Sequence, residues 1–210
     1  VKPDNILVNW TCDNADQKTV TKVALGDFDI AFKPEGGQPL NTAHAIGNAM
    51  WRSPEGQTGR GVTKASDVFS FGLVVGERSS NLNFYAKVCL QCIYALGGGD
   101  LLLLNNYQEL VKSGIMPEQE ILVRHFSYFG LATEGLFKRV DSEVWCRALK
   151  SASVMAEYNV KEQPNQRFEV WGQGLGPQAQ NMISGMTNPD PTARITIDEV
   201  LMHSWWQDDS

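Results

Sequence analysis

The 210-residue sequence has no apolar run approaching the ~18 residues of a membrane span; its longest leucine block is Leu101 to Leu104, so no membrane partner is expected. It is short of positive charge. Eighteen Lys and Arg against 24 Asp and Glu leave a net charge of −6, which argues against a nucleic-acid surface. Cysteine is sparse: Cys12, Cys89, Cys92 and Cys146 are scattered and read as reduced, intracellular thiols. Cys89-Leu-Gln-Cys92 is a lone C-x-x-C with no second Cys or His pair nearby, so zinc or redox chemistry is not expected. There is no G-K-[ST] phosphate loop, and Gly172 to Gly176 follows no strand, so that run reads as a turn. Neither an initiating Met nor a signal peptide is present; the expectation is a fragment of an intracellular protein of cytoplasm or nucleus.

What remains is an ordinary globular composition, 42% hydrophobic and 20% charged, which excludes a disordered tail or a fibre. The length fits one domain or a large piece of one. The informative residues are near the start. Lys2-Pro3-Asp4-Asn5 precedes the β-prone run Ile6-Leu7-Val8, and Val23-Ala24-Leu25-Gly26 leads into Asp27-Phe28-Asp29. If the two runs pair as strands across the polar turn at Asp13 to Asp16, Asn5 and Asp27 converge at one end of a hairpin. An amide oxygen, a carboxylate and an ammonium at one point suit Mg²⁺ and phosphate. Mg²⁺ takes a few protein oxygens and completes its shell with water and phosphate, and lysine offers a point charge to a phosphoryl oxygen.

Each piece alone is weak, because an Asp after a strand is commonly a turn residue. The order is specific. Lys2-Pro3-Asp4-Asn5, Asp27-Phe28-Asp29 and Ser53-Pro54-Glu55 together resemble the catalytic-loop, D-F-G and A-P-E signatures of the protein kinases. Ser66-Asp67-Val68-Phe69 resembles the start of that family's central helix, and Asp190-Pro191-Thr192-Ala193-Arg194 and His203-Ser204-Trp205-Trp206 its C-terminal end. The chain is similar to kinase-like proteins of fungi, in which the W-R-S-P-E and G-G-G runs are familiar. The resemblance implies a kinase-like fold, the C-terminal lobe only, mainly α-helical with a short β-hairpin at the active-site edge. It implies a partial kinase domain over 1–210 with an activation segment at 27–55.

The same resemblance implies transfer of the ATP γ-phosphate to a protein hydroxyl, with Lys2 favouring serine and threonine. Lys2 would contact the moving phosphate and Asn5 and Asp27 would hold Mg²⁺. Leu7 would pack under the adenine. Glu55 and Arg194 would form a buried ion pair, and Asp67 would accept hydrogen bonds from the catalytic-loop backbone. The implied partners are ATP and a protein substrate. The family's catalytic base would stand immediately before Val1, and its glycine loop, strand lysine and upstream lobe are missing from this chain, so residues 1–210 are expected to transfer no phosphate alone. The competing reading is a pseudokinase-like interaction module, or an inactive gene fragment.

Three departures bear on that choice. Asp29 stands where the family has Gly, a residue used for positive φ or close approach. Gly47-Asn48 replaces a Gly-Thr whose hydroxyl helps align lysine and base. Val75 to Gln91 interrupts the central helix, and deleting it rejoins Val74 to Cys92-Ile93-Tyr94-Ala95-Leu96. That segment reads as translated intron, with donor-like Val-Gly and acceptor-like Gln codons; the alternative is a genuine insertion looped from the helix.

Elsewhere, strands are predicted over 1–10 and 19–25, and a mobile loop over Phe32 to Asn48 in which Thr42 is either a phosphorylation site or an ordinary solvated threonine. Helices are predicted from Thr63 to Val74, Asn106 to Ser113, Pro117 to Tyr128, Ser142 to Lys161 and Gly176-Pro177 to Met186. The Ser142 helix carries an apolar stripe of Val144, Leu149, Ala152 and Met155, in a middle region long enough to be a docking surface. Thr196-x-x-Glu199 is a capping box opening the last helix.

Overall fold

The computed structural model describes residues 1–13, 18–29, 31–33, 35–74 and 107–206. The helix continuation at Cys92 to Gly97 and the interrupting segment 75–91 lie outside the described residues. The chain opens with a 3₁₀ turn at Pro3–Asn5, where proline sets the first turn. Strand β1 (Ile6–Cys12) then pairs antiparallel with β2 (Lys18–Leu25), Ile6 opposite Leu25 and Leu7 opposite Ala24. The predicted pairing is present, but the strand starts only at Ile6: residues 1–5 stay outside it, Pro3 to Asn5 forming the turn, because Pro3 has no N–H to give a ladder.

Helices follow in order: α1 (Pro54–Thr58), α2 (Lys64–Val74), α3 (Tyr107–Lys112), α4 (Pro117–Phe129), α5 (Glu134–Val140), α6 (Glu143–Glu162), α7 (Phe168–Trp171), α8 (Pro177–Met186) and α9 (Ile197–Leu201). The central helix α2 supplies the core: Val68, Phe69, Leu73 and Val74 are buried. Phe69, Leu73 and Val74 pack with Trp51, Phe168 and Ile183, while Val68 packs with Met182, Met186 and Val200. Burying each large side chain is worth roughly 1.5–3 kcal/mol, so α2 and α8 anchor the fold together. They approach closely at Gly72, where an added Cβ would lie 2.8 Å from Met186 Cβ.

A second core joins α4 to α6, through Leu122, Val123 and Phe126 against Leu149, Ala152 and Ala156. The predicted α6 stripe is half right. Leu149 and Ala152 are buried, but Val144 and Met155 are exposed, and Ala156 takes the inward place one helical turn from Ala152. Helix α5 is not foreseen in the sequence. Thr133 caps it, its Oγ1 accepting from Leu136 N at 3.4 Å and donating to Asp190 Oδ2 at 2.7 Å. Burial alone would raise the Asp190 carboxyl, but hydrogen bonds from Thr192 and Thr133, with Arg194 nearby, hold it below its ordinary value. The capping box at Thr196 and Glu199 forms as read, and both tryptophans follow α9. Trp205 packs beside Met182 and Val200, and Trp206 Nε1 donates to Val200 O at 2.6 Å.

The stretch read as a mobile loop is tied down along its second half. Leu40 and Val62 exchange backbone hydrogen bonds at 2.8 and 3.1 Å, Thr42 N donates to Gly59 O at 2.8 Å, and Ile46 N donates to Gly56 O at 3.0 Å. Gly59 has φ 67°, and a Cβ there would collide with the carbonyl of His44. The clamp holding this stretch is Glu55 with Arg194. Both side chains are wholly buried, with Arg194 Nη1 to Glu55 Oε1 at 2.7 Å and Nη2 to Oε2 at 3.2 Å. The other guanidinium N–H groups reach Ala65 O, Asn188 O and Pro189 O at 2.6, 2.9 and 3.4 Å, and the plane lies over Phe69. All five donors are satisfied.

Two outcomes follow for stability. Glu55→Gln leaves the Arg194 charge buried without its partner and is expected to lower the unfolding free energy by about 3–5 kcal/mol; a urea titration showing a loss below about 1 kcal/mol would contradict the clamp. The second concerns His125, which is buried between Phe69 and Phe129 with Nδ1 unpartnered among the described residues. Burial pulls its imidazole from the ordinary 6.5 down to about 3. Between those values the unfolded chain binds a proton that the folded chain refuses. Stability should therefore fall as pH drops from 6.5, by up to about 1.4 kcal/mol per pH unit. His125→Leu should flatten that slope between pH 6.5 and 5, and equal slopes in both proteins would contradict the assignment.

Candidate functional site

The rim of the hairpin gathers the residues that matter. Asn5 N donates to Lys2 O at 3.1 Å, which closes the 3₁₀ turn, and Gly26 N donates to Asn5 O at 2.7 Å, which ties the end of β2 to that turn. Asp27 is the next residue, so Asn5 and Asp27 flank one backbone hydrogen bond. Lys2 Nζ stands 3.7 Å from Asp27 Oδ2, with both side chains partly open to solvent. This is a loose ion pair, longer than a charge-assisted hydrogen bond. The Lys2 ammonium and the Asp27 carboxylate are thus neighbours at one edge, to which Asn5 is joined through its backbone.

The backbone carries a special conformation here. Among the described residues, Asp27 and Asp141 have positive φ without being glycine, and Asp27 sits at φ 61°. Asp tolerates that region better than most residues. Asp29, where glycine is expected, is not among them, so the need for a left-handed residue falls two positions earlier than the sequence suggests. Phe28 is 61% exposed and Leu7 58% exposed, and Trp10, Leu25 and Phe32 are exposed as well. Leu7 nevertheless keeps a fixed place, its Cδ1 lying 3.4 Å from where a Gly26 Cβ would be.

The donor set discriminates between metals. No cluster of three or more His, Cys, Asp or Glu side chains forms among the described residues. A cation here would rest on one carboxylate and one amide, a sparse hard-oxygen set. Mg²⁺ accepts this by keeping waters and phosphate oxygens, whereas structural zinc needs four N or S ligands. The Asn5 amide has no protein partner among the described residues, so its oxygen can turn toward such an ion. The residues present fit Mg²⁺.

Other expected positions fall elsewhere. Asp67 lies in the first turn of α2, its Oδ1 3.8 Å from the Val1 nitrogen, beyond hydrogen-bond range. Glu55 and Arg194 meet in the buried interior, as described. Asn48 Oδ1 accepts from Met50 N at 3.1 Å, an Asx turn that commits its oxygen locally. The Thr42 hydroxyl donates to His44 O, with Gly59 O also within 3.3 Å, so it serves the loop's own anchorage.

A family model described as "Protein kinase domain" matches residues 1–206. Over 56 residues, 26% of the chain, the sequence is 38% identical to Serine/threonine-protein kinase PKZ1 of Phytophthora infestans. Over 53 residues, 25% of the chain, it is 43% identical to L-type lectin-domain containing receptor kinase S.1 of Arabidopsis thaliana. These matches span 14% and 8% of the two relatives' lengths. The fold is similar to a crystallised kinase domain at a TM-score of 0.52 and 14% identity, over 98% of this chain and 58% of that one. The likeness in fold is mostly helical with a two-stranded antiparallel sheet at one edge. With the family model matched along nearly its whole length, the chain belongs to the protein kinase domain family.

Proposed function

We propose that the chain is the substrate-side lobe of a serine/threonine kinase and carries the metal and phosphate half of its active site. The observation that carries this is the meeting of Lys2, Asn5 and Asp27 at the hairpin edge. Asn5 and Asp27 would hold Mg²⁺, which when bound neutralises charge on the ATP phosphates. Lys2, already drawn to that carboxylate, would turn to the γ-phosphate and offset the charge that spreads over its oxygens during transfer. The exposed Leu7 offers an apolar surface to the adenine. The hairpin and the residues after it also expose Trp10, Leu25 and Phe28, apolar side chains of the kind that a second lobe would cover. The acceptor is a hydroxyl of a protein substrate lying along 27–55.

The platform is better built than the rim. The segment that would receive substrate is laddered to 56–62 and clamped by Glu55 and Arg194, whereas the phosphate-facing groups lie at an open edge. An open edge weakens each electrostatic contact, since charges in water interact far less than in a closed cleft. One observation favours the non-catalytic reading: Asn48 spends its oxygen on Met50 N, so it does not replace the threonine hydroxyl.

Paramagnetic broadening separates the two readings. Titrating Mn²⁺ with ATP into the labelled 210-residue chain is expected to broaden the resonances of Lys2, Asn5 and Asp27 before any others. Asp27→Asn should weaken that effect by at least the roughly 10–100-fold that loss of even an outer-shell partner costs a metal site. Broadening spread evenly over surface carboxylates, or unchanged in the variant, would favour the interaction module.

A further inference from the structure

The chain is acidic overall, yet three cations share one cleft of about 520 Å³ on its flank. Arg60, Lys138 and Arg139 line it, with Asn41 and Thr192, and Asp141 is the only carboxylate among its lining residues. Arg60 is held in place by the end of α5, its Nε donating to Val140 O at 3.0 Å and Nη2 to Asp141 O at 3.3 Å. Those bonds satisfy carbonyls that a helix end leaves over, and they leave further guanidinium N–H groups without an acceptor. Lys138 and Arg139 have no ion-pair partner among the described residues. Asn41 Oδ1 accepts from Gly61 N at 2.8 Å, so the two donors of its Nδ2 are the free end of that side chain. The Thr192 hydroxyl is committed to Asp190 Oδ1 at 2.6 Å. The uncommitted polar groups are therefore almost all donors.

Cations in the last turn of a helix complement its dipole, which accounts for Lys138 and Arg139 on α5. It does not account for Arg60 and Asn41, which come from different segments and close the cleft from the other side. Asn41 immediately precedes Thr42, inside the stretch laddered to residues 56–62. A ligand in the cleft would thus lie beside the segment that runs from Asp27 to Glu55.

We propose that this cleft takes an anionic side chain of the protein substrate, a carboxylate or a phosphate, against Arg60, Lys138, Arg139 and Asn41. Naming the ligand a substrate rests on the kinase reading above; the preference for an anion does not.

The test is fluorescence anisotropy with the 210-residue chain and three labelled peptides alike except at one run, which holds Glu, Gln or phosphoserine. The Glu or phosphoserine peptide should bind at least about tenfold tighter than the Gln peptide at low salt, the worth of roughly one charge-assisted hydrogen bond. The advantage should shrink at 0.15 M salt. Whichever anionic peptide binds more tightly, with inorganic phosphate as competitor, assigns the source of the charge. Lys138→Glu with Arg139→Glu should abolish the difference, and the milder Lys138→Ala should reduce it, with circular dichroism unchanged. Equal binding of all three peptides, or double-variant binding equal to that of the parent, overturns the proposal. Asp27→Asn should leave peptide binding intact. Anionic-peptide binding by a chain that shows no Mn²⁺·ATP broadening at the hairpin refutes the kinase reading and keeps the anion site; the reverse pattern refutes the cleft alone.

Discussion

The ion pair between Glu55 and Arg194 sets the conditions for everything else. Its partners are 139 residues apart in sequence and wholly removed from water. Desolvating two charges costs several kcal/mol each, and their attraction repays this only when geometry is good and the remaining donors are satisfied. Both conditions hold, with a bidentate contact and three backbone carbonyls completing the guanidinium. The pair therefore gives little net stability over an apolar substitute but strongly penalises any arrangement that separates its members. It works as a registration pin. One end is the first turn of α1, capped by Ser53 Oγ accepting from Gly56 N at 3.0 Å; the other is the loop before α9. Between them lies Phe69 of α2, under the guanidinium plane.

That pin explains why a stretch rich in glycine and polar residues holds one path. Residues 40–46 own few apolar contacts and could not order themselves by burial. They borrow order from 56–62 through a short run of backbone hydrogen bonds, and 56–62 is fixed by Glu55. The chain of causation thus runs from a buried charge to α1, and from α1 to the loop that would face a substrate. The hairpin rim has no buried ion pair among the described residues: backbone bonds from Gly26 to Asn5 and from Asn5 to Lys2, a loose Lys2 to Asp27 contact, and Val1 and Ile6 packed against the core hold it. Order decreases steadily from core to rim.

Legibility in the sequence followed the same gradient. Helices with a strong local signal, such as the Pro177 start of α8 and the Thr196 capping box, could be read because their causes lie within a few residues. Pairing of β1 with β2 was readable from two apolar runs and a polar turn. Helix α5 was not, since it is a short element whose cap, Thr133, is oriented by Asp190, 57 positions away. The α6 stripe failed for a related reason: Val144 and Met155 are as apolar as Leu149, and only the position of α4 decides which of them turn inward. At the hairpin edge, the approach of Lys2 to Asp27 and of Asn5 to Gly26 could be read from order and spacing. The left-handed backbone at Asp27, the Asx turn of Asn48 and the anchorage of Thr42 were not, because each depends on which backbone group lies opposite in the folded chain.

Net charge is a poor guide to what such a surface binds. At physiological ionic strength charges more than about 8 Å apart hardly feel each other, so a total of −6 does not repel an anion from a local cluster of cations. What decides is whether those cations are already spent on neighbouring carboxylates. Lys161 with Glu157 on α6 and Arg124 with Glu120 on α4 are spent, paired along their helices at 3.2 and 3.0 Å. Lys138 and Arg139 are not, and Lys2 is held only loosely. Arg60, Lys138 and Arg139, gathered in one cleft and without an ion-pair partner among the described residues, thus keep a local attraction for anions on a chain whose total is negative.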